Sequence, residues 1–282
     1  MLRKLFLVSA AFIAVALLAS FKNKEISIAK AVQQNFAKVN DNLYACKYEV
    51  SNLEYRIFLT ALRAKDVNMA EKYKVDTAKW VHELRYQEPM AIYYHSHPAY
   101  NSYPVVCISY ESAQAYCDWL TEQYNADEKR KFKNVKFVLP TEEEWMMAAN
   151  GGNKNRMYPW GSYYLRNKTG EFLCNFKHIG DAFIVSDDHG NPKFDDNVIE
   201  KVASGLNDAS LYTASVKSFW PNAFGIYNMS GNAAEMTMEK GLTKGGSWNS
   251  YGGEVTIQSK KTYNQPSPEV GFRVFMKIIP GN

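Results

Sequence analysis

Cysteine is scarce in this chain. There are four in 282 residues, and none follows Cys174. Four cysteines are too few to build a disulfide scaffold. Blocks of one charge are also scarce. Lysine and arginine number 33 against 29 acidic residues, for a net charge of +4. The only basic cluster, Lys129-Arg130-Lys131, reads as a solvated helix end, so charge gives no footprint for nucleic acid. No repeat is present, and the 16 glycines and 10 prolines follow no period. That excludes collagen-like and low-complexity chains. No apolar run reaches the ~20 residues of a membrane span. What the chain has in abundance is aromatic surface: 19 Tyr, 15 Phe and 6 Trp, or 14%. Disordered chains are poor in such residues, so a packed core is expected.

The longest apolar run, Leu5 to Ala19, is about 15 residues and follows Arg3-Lys4. A short basic start, an apolar stretch and small residues make a secretory signal peptide over residues 1–20. An uncleaved anchor is the structural alternative. Leu17-Leu18-Ala19-Ser20 resembles a lipobox with Ser20 where the lipid-bearing cysteine would stand. The expectation is a soluble exported protein of the periplasm or cell envelope, with no stable membrane span once the signal is removed. Losing Arg3 and Lys4 lowers the net charge from +4 to +2. Export also permits disulfides, and the pairing of Cys46, Cys107, Cys117 and Cys174 stays open.

Residues 21–40 read as a polar lead-in and 41–282 as one domain. Three helices declare themselves by their caps. Ser51 with Glu54 forms a capping box ahead of Leu53, Ile57, Phe58 and Leu62. Ser109 precedes Ala113, Tyr116, Cys117 and Leu120 at helical spacing, and Thr141 with Glu144 opens a helix through Trp145 and Ala148. Short apolar runs precede each: Leu43 to Val50, Pro104 to Ile108 and Val135 to Leu139. After Gly152 the helical pattern stops, and Gly, Asn, Pro and aromatics dominate for about 130 residues. This is an α+β chain with a long irregular half, which bound cations would help to hold.

Several segments in fixed order resemble the formylglycine-generating enzyme (sulfatase-modifying factor) family. They are Tyr103-Pro104-Val105-Val106 with Ala115-Tyr116-Cys117-Asp118-Trp119; Leu139-Pro140-Thr141-Glu142-Glu143-Glu144-Trp145; and Tyr158-Pro159-Trp160-Gly161. Asn222-Ala223-Phe224-Gly225-Ile226-Tyr227-Asn228-Met229-Ser230-Gly231-Asn232, Lys244-Gly245-Gly246-Ser247-Trp248-Asn249 and Gly271-Phe272-Arg273 complete the series. The resemblance implies that family's fold, a C-type lectin-like variant with little regular secondary structure. A narrower resemblance covers about 30 residues. Asp76-Thr77-Ala78-Lys79-Trp80, Glu88-Pro89-Met90 and His97-Pro98-Ala99-Tyr100 look like the insertion in gliding-motility and type IX secretion lipoproteins K and J, which act structurally.

Enzymes of the family oxidise a substrate cysteine with oxygen and a copper(I) ion held by two thiolates, the soft ligands such an ion prefers. The resemblance places those thiolates at Ser250 and Val255, where neither can serve. Copper is therefore not expected, and no catalytic residue is assigned. Ser247, Trp248, Asn249 and Ser250 are the candidates for a substrate groove. The family also holds structural calcium. By resemblance one site takes Asn228, Gly231, Ala233 and Glu235, and a second takes Asn175, Phe176, Asp208 and Ser210. Both residue sets would otherwise serve as turn caps.

Other constellations are weak. His95-Ser96-His97 would put two imidazoles on one face if extended, against the plainer reading of a packed loop. His82, His178 and His189 are isolated, and Gly151-Gly152 follows a helix as its stop. The expected function is a non-catalytic binding or scaffold protein of the envelope, linked by its insertion to gliding motality or type IX secretion, with an envelope protein or peptide as partner. The alternative is an oxygen-dependent oxidoreductase of the formylglycine-generating type with a divergent active site. A third reading is a carbohydrate or peptide binder using aromatics near Trp160, Trp220 and Trp248.

Overall fold

The computed structural model describes residues 27–279, except 85, 178–183, 187, 190, 191 and 195–210. The segment read as a signal peptide, residues 1–20, lies outside the described residues. Among the described residues no helix is long and apolar enough to cross a membrane.

The three caps form as the sequence predicts. Glu54 accepts from the Ser51 N–H at 2.8 Å while Ser51 Oγ accepts from the Glu54 N–H at 3.3 Å. Thr141 and Glu144 repeat the arrangement at 2.9 and 3.2 Å, and Ser109 Oγ accepts from the Ser112 N–H at 3.1 Å. Each such cap contributes about 1 kcal/mol. They start α2 (Asn52–Lys65), α6 (Tyr110–Ala126) and α7 (Glu142–Ala149). Before them in the chain lie α1 (Ile28–Asn35), β1 (Phe36–Lys38) and β2 (Leu43–Cys46); between α2 and α6 lie α3 (Val67–Lys72), α4 (Lys79–Glu83) and α5 (Glu88–Tyr93). Strand β3 (Val135–Val138) pairs with the last strand, and the order of the first sheet is β1-β2-β10-β3, with β10 spanning Phe275–Ile278. The hairpin β4 (Ile184–Ser186) and β5 (Pro192–Phe194) stands apart. The second sheet has the order β8-β7-β6-β9, from Lys260–Thr262, Leu242–Lys244, Ala234–Met236 and Val270–Gly271. All its pairings are antiparallel except β6 with β9.

One expectation is corrected here. The lead-in read as 21–40 belongs to the domain from residue 28 onward. Ser27 caps α1, Ile28 and Val32 share its buried face, and β1 pairs with β2. The interspersed Lys30, Gln33 and Gln34 hide this short apolar stripe in the composition. The run Pro104 to Ile108 makes no strand. Cys107 takes a left-handed φ of 58°, and its N–H donates to Ser267 O at 3.0 Å. A strand cannot continue through that conformation.

The largest core cluster lies between α2, α6 and the first sheet. Phe58 contacts Tyr116 and Trp119 at centroid distances of 5.4 and 5.6 Å, and Tyr116 meets Phe272 at 5.4 Å. Edge and tilted contacts of this kind add about 0.5–1.5 kcal/mol each beyond burial.

Helices α4 and α5 pack through Trp80, which is fully buried and 4.8 Å from the Tyr94 ring. His95 and His97 follow α5 in a turn and do not share a face. The His97 Nδ1 accepts from the Ala99 N–H at 3.2 Å. His95 is buried, and its Nε2 accepts from Trp80 Nε1 at 3.2 Å. An indole nitrogen only donates, so the proton sits on Nδ1, which donates to Asn52 Oδ1 at 3.0 Å. Burial, with Arg56 nearby, drives the His95 pKa down to about 3. The unfolded chain takes up that proton near pH 6.5 and the native chain does not. Stability is therefore intact above pH 6.5 and falls as pH drops from there towards 3, at roughly 1.4 kcal/mol per unit from this group. Denaturant titrations at pH 7 and pH 5 should show that loss in the wild type and a clearly flatter dependence in His95→Gln. Identical slopes would assign the acid sensitivity to other groups.

Candidate functional site

Strand β7 ends in a turn that only glycine can make. Gly245 and Gly246 have φ of 84° and 65°. A Cβ on Gly246 would lie 2.8 Å from Val255 Cγ1 and 3.2 Å from Ser250 Cβ. The turn thus draws together the two positions that the sequence marks for the copper thiolates.

Beyond the turn, side chains hold one another. The Ser247 N–H donates to Ser250 Oγ at 3.0 Å, and Ser247 Oγ donates to Glu269 Oε2 at 2.8 Å. Asn249 Nδ2 donates to the other Glu269 oxygen at 2.9 Å. Lys261 Nζ stands 3.9 Å from Glu269, a loose surface pair. Ser247 and Ser250 line a cleft of about 190 Å³ with Thr243, Lys261, Thr262 and Glu269. Two groove candidates are placed differently. Asn249 braces Glu269 from outside the cleft. Trp248 is folded under, 8% exposed, and donates to Pro268 O at 3.1 Å. Glu269 is the residue that sequence reasoning missed; its one signal is its place two residues ahead of Gly271-Phe272-Arg273.

Ser250 and Val255 are both sealed. Ser250 is 1% exposed and Val255 is fully buried against Tyr158, Phe172, Cys174 and Phe176. Cys174 therefore shares a core cluster with Val255, although sequence distance sets it apart. Burial pushes its thiol well up, as it does for Cys107 and Cys117, and lifts Cys46 to about 12. All four cysteines stand as free thiols in this structure. Trp160 stacks on Tyr158 at 4.9 Å with rings 6° from parallel, and Trp220 is 47% exposed.

The first calcium motif lies where β6 begins. Asn228 and Asn232 both adopt left-handed backbone, with φ of 53° and 67°. Asn228 Nδ2 donates to Glu49 Oε2 at 3.0 Å and Val216 O at 3.3 Å, and Asn232 Nδ2 donates to Glu49 Oε1 at 2.7 Å. Glu49 is fully buried, and burial lifts its pKa to about 7 against the opposing pull of Arg273. Asn228 Oδ1 is buried and has no hydrogen-bond partner among the described residues. Glu235 is spoken for: its oxygens accept from Trp145 Nε1 at 2.7 Å and from Arg273 Nε at 3.0 Å. Ala233 packs with Trp80 and Tyr94. Gly231 presses on Asn175, whose carbonyl would sit 2.0 Å from a Cβ there and accepts the Asn232 N–H at 2.8 Å. Asn175 is thus brought to the first motif, and Phe176 packs beside Val255. Asp208 and Ser210 lie outside the described residues.

Residues 22–278 match the sulfatase-modifying factor enzyme 1-like domain. The chain belongs to the sulfatase-modifying factor family. Its relatives in that family include the inactive C-alpha-formylglycine-generating enzyme 2 of Bos taurus, 29% identical over 187 residues, 61% of this chain and 49% of that protein. The formylglycine-generating enzyme of the same species is 26% identical over 226 residues, 71% of this chain and 49% of that protein. The chain spans about half the length of these curated relatives. Among solved structures, Treponema denticola variable protein 1 aligns with a TM-score of 0.50 and 13% identity, covering 86% of this chain and 91% of that one. The mixed α+β architecture agrees with the formylglycine-generating-enzyme fold. Sulfatase-modifying factor relatives named as catalytic and as inactive both match, so membership alone leaves the chemistry open.

The family's calcium fits these residues in part. Asn228 offers a buried oxygen with no other partner among the described residues, which suits an ion that takes oxygen ligands. The Glu235 carboxylate does not fit, because the Arg273 guanidinium already neutralises it. The carboxylate adjoining Asn228 is Glu49, which the motif spacing does not include.

Proposed function

We propose that this sulfatase-modifying-factor protein is non-catalytic, is exported to the periplasm or cell envelope, and holds a partner polypeptide in the cleft beside Ser247 and Glu269. The observation that carries the reading is the pair of sealed positions, Ser250 and Val255. One is a hydroxyl bound to a backbone N–H and the other an isopropyl group packed among aromatics. Neither binds a soft metal ion. The cleft itself offers a carboxylate, an ammonium and the exposed Thr262 hydroxyl, groups that suit a peptide's backbone and polar side chains. The insertion motifs between Asp76 and Tyr100 support a role beside gliding-motility or type IX secretion components. The second reading, a family oxidoreductase with a divergent site, is favoured by Cys174 in the core cluster that holds Val255. One neutral buried thiol still leaves the metal a ligand short.

The test is co-purification from the native envelope with the wild type and with Thr262→Trp, which fills the cleft from its exposed rim. A partner kept by the wild type and lost by the variant supports the reading. Equal recovery with both refutes it.

Calcium enters this reading as a structural ion. A ligand at a hundredfold excess over its Kd adds about 2.7 kcal/mol to a native state that alone binds it. A chelator should lower the melting temperature, calcium should restore it, and Asn228→Ala should abolish the restored part. Insensitivity of the wild type to the chelator would rule the ion out.

A further inference from the structure

Two residues beyond Ser250 on the same loop, Gly252 lines a second cleft of about 390 Å³. That size lies within the range of small-ligand sites. Its other walls include Tyr164, Arg166, Phe172 and Lys177. A stiff turn supplies Arg166. Asn167 Oδ1 accepts the N–H groups of Thr169 and Glu171 at 3.0 and 2.9 Å, and the Leu173 N–H closes the hairpin on Leu165 O at 2.9 Å. The Arg166 guanidinium lies 3.8 Å from the Phe172 ring centroid and donates to Gly170 O at 2.6 Å. One donor of a five-donor fork is thereby used, and no carboxylate among the described residues pairs with it.

Beside this fork two aromatic rings stand in water. Tyr163 and Tyr164 are 74% and 75% exposed. The Tyr164 carbonyl accepts from Trp160 Nε1 at 2.9 Å and from the Ser162 hydroxyl at 3.2 Å, so the backbone is anchored while the rings remain open. The charged residues in the cleft wall, Arg166 and Lys177, are both basic. Between residues 154 and 177 stand Lys154, Arg156, Arg166, Lys168 and Lys177, with Glu171 the one acid. Glu171 is occupied by Asn167 and Thr169.

A rigid guanidinium fork selects a carboxylate or a sulfate. The electron-rich face of an exposed tyrosine attracts the polarised C–H groups of a sugar ring. An acidic peptide would satisfy the cations but leave the flat tyrosine faces without a matching surface. We propose that this cleft binds an anionic saccharide, with its carboxylate or sulfate on Arg166 and a ring against Tyr164. This site is separate from the peptide cleft, and its existence does not depend on that reading.

The experiment is calorimetric titration of the full chain with trigalacturonate and with a chondroitin sulfate tetrasaccharide. Maltotriose and hexaglutamate serve as comparators. At least one anionic sugar should bind at least tenfold more tightly than both comparators, and the stronger of the two identifies the preferred anion. Affinity should fall about tenfold in Arg166→Gln and in Tyr164→Ala, and should weaken as salt rises. Arg166→Lys keeps the charge but loses the fork, and should keep only a minor part of the affinity. Both residues are exposed, and unchanged melting temperatures would show that the variants fold. Hexaglutamate binding as tightly as the sugars, wild-type affinity in both variants, or no binding of either sugar would each overturn the proposal.

Discussion

Given Cu(I), oxygen, a reductant and a peptide carrying Cys-x-Pro-x-Arg, the protein should yield no aldehyde by mass spectrometry and should bind no stoichiometric Cu(I). The reason is ligand chemistry. Cu(I) needs soft donors, and thiolate is the soft anionic side chain. The Gly245-Gly246 turn brings positions 250 and 255 together as the family chemistry requires, but it delivers a hydroxyl and an isopropyl group. Cys174 shares a core cluster with Val255, yet burial holds its thiol far above the range in which it would ionise. The expected rate is nil, because the oxygen-activating centre cannot assemble. The demanding control is Cys174→Ser. Aldehyde made by the wild type and lost in that variant would establish a divergent oxidase and end the non-catalytic reading.

The largest stability effect should come from Arg273. Its side chain is fully buried, as is that of Glu235 to within 1%. The guanidinium pairs with Glu235 at 2.5 Å, donates to Tyr227 O at 2.8 Å and reaches Cys46 O at 3.0 Å. Glu235 sits in the second sheet, Cys46 in the first and Trp145, the other partner of Glu235, on α7. One side chain thus ties both sheets and a helix together. Arg273→Met strands a buried carboxylate, and such losses cost about 3–5 kcal/mol. Against a total domain stability of about 5–15 kcal/mol, that variant should unfold at markedly lower denaturant. The double variant Glu235→Gln with Arg273→Met should lose less than the two single losses together, since the stranded charge is gone. Additive losses in the denaturant series would mean that the pair is not coupled.

The legible part of the fold was local. Ser51, Ser109 and Thr141 announce their helices because a cap is a contact between residues three apart. Helix α1 also has a local cap at Ser27, but the polar residues around Ile28 and Val32 obscured its apolar stripe. The apolar run Pro104 to Ile108 shows the opposite limit. Its apolar composition is right for a strand, yet Cys107 is turned left-handed by a bond to Ser267, 160 positions away.

The sequence by itself determined the family, through an ordered series of motifs, and the absence of the copper thiolates, since no fold can add a sulfur at 250 or 255. Only the tertiary structure decided which charges meet. Glu49 reaches Asn228 across 179 positions, Arg273 reaches Glu235 across 38, and Ser247 reaches Glu269 across 22. The first two pair fully buried carboxylates with groups that must find partners somewhere, because an unmet buried charge is costly, and the third braces the cleft wall. Residue spacing identifies the groups that need partners. Chain packing assigns the partners, and it gave Glu235 to a guanidinium while leaving the Asn228 oxygen without one among the described residues.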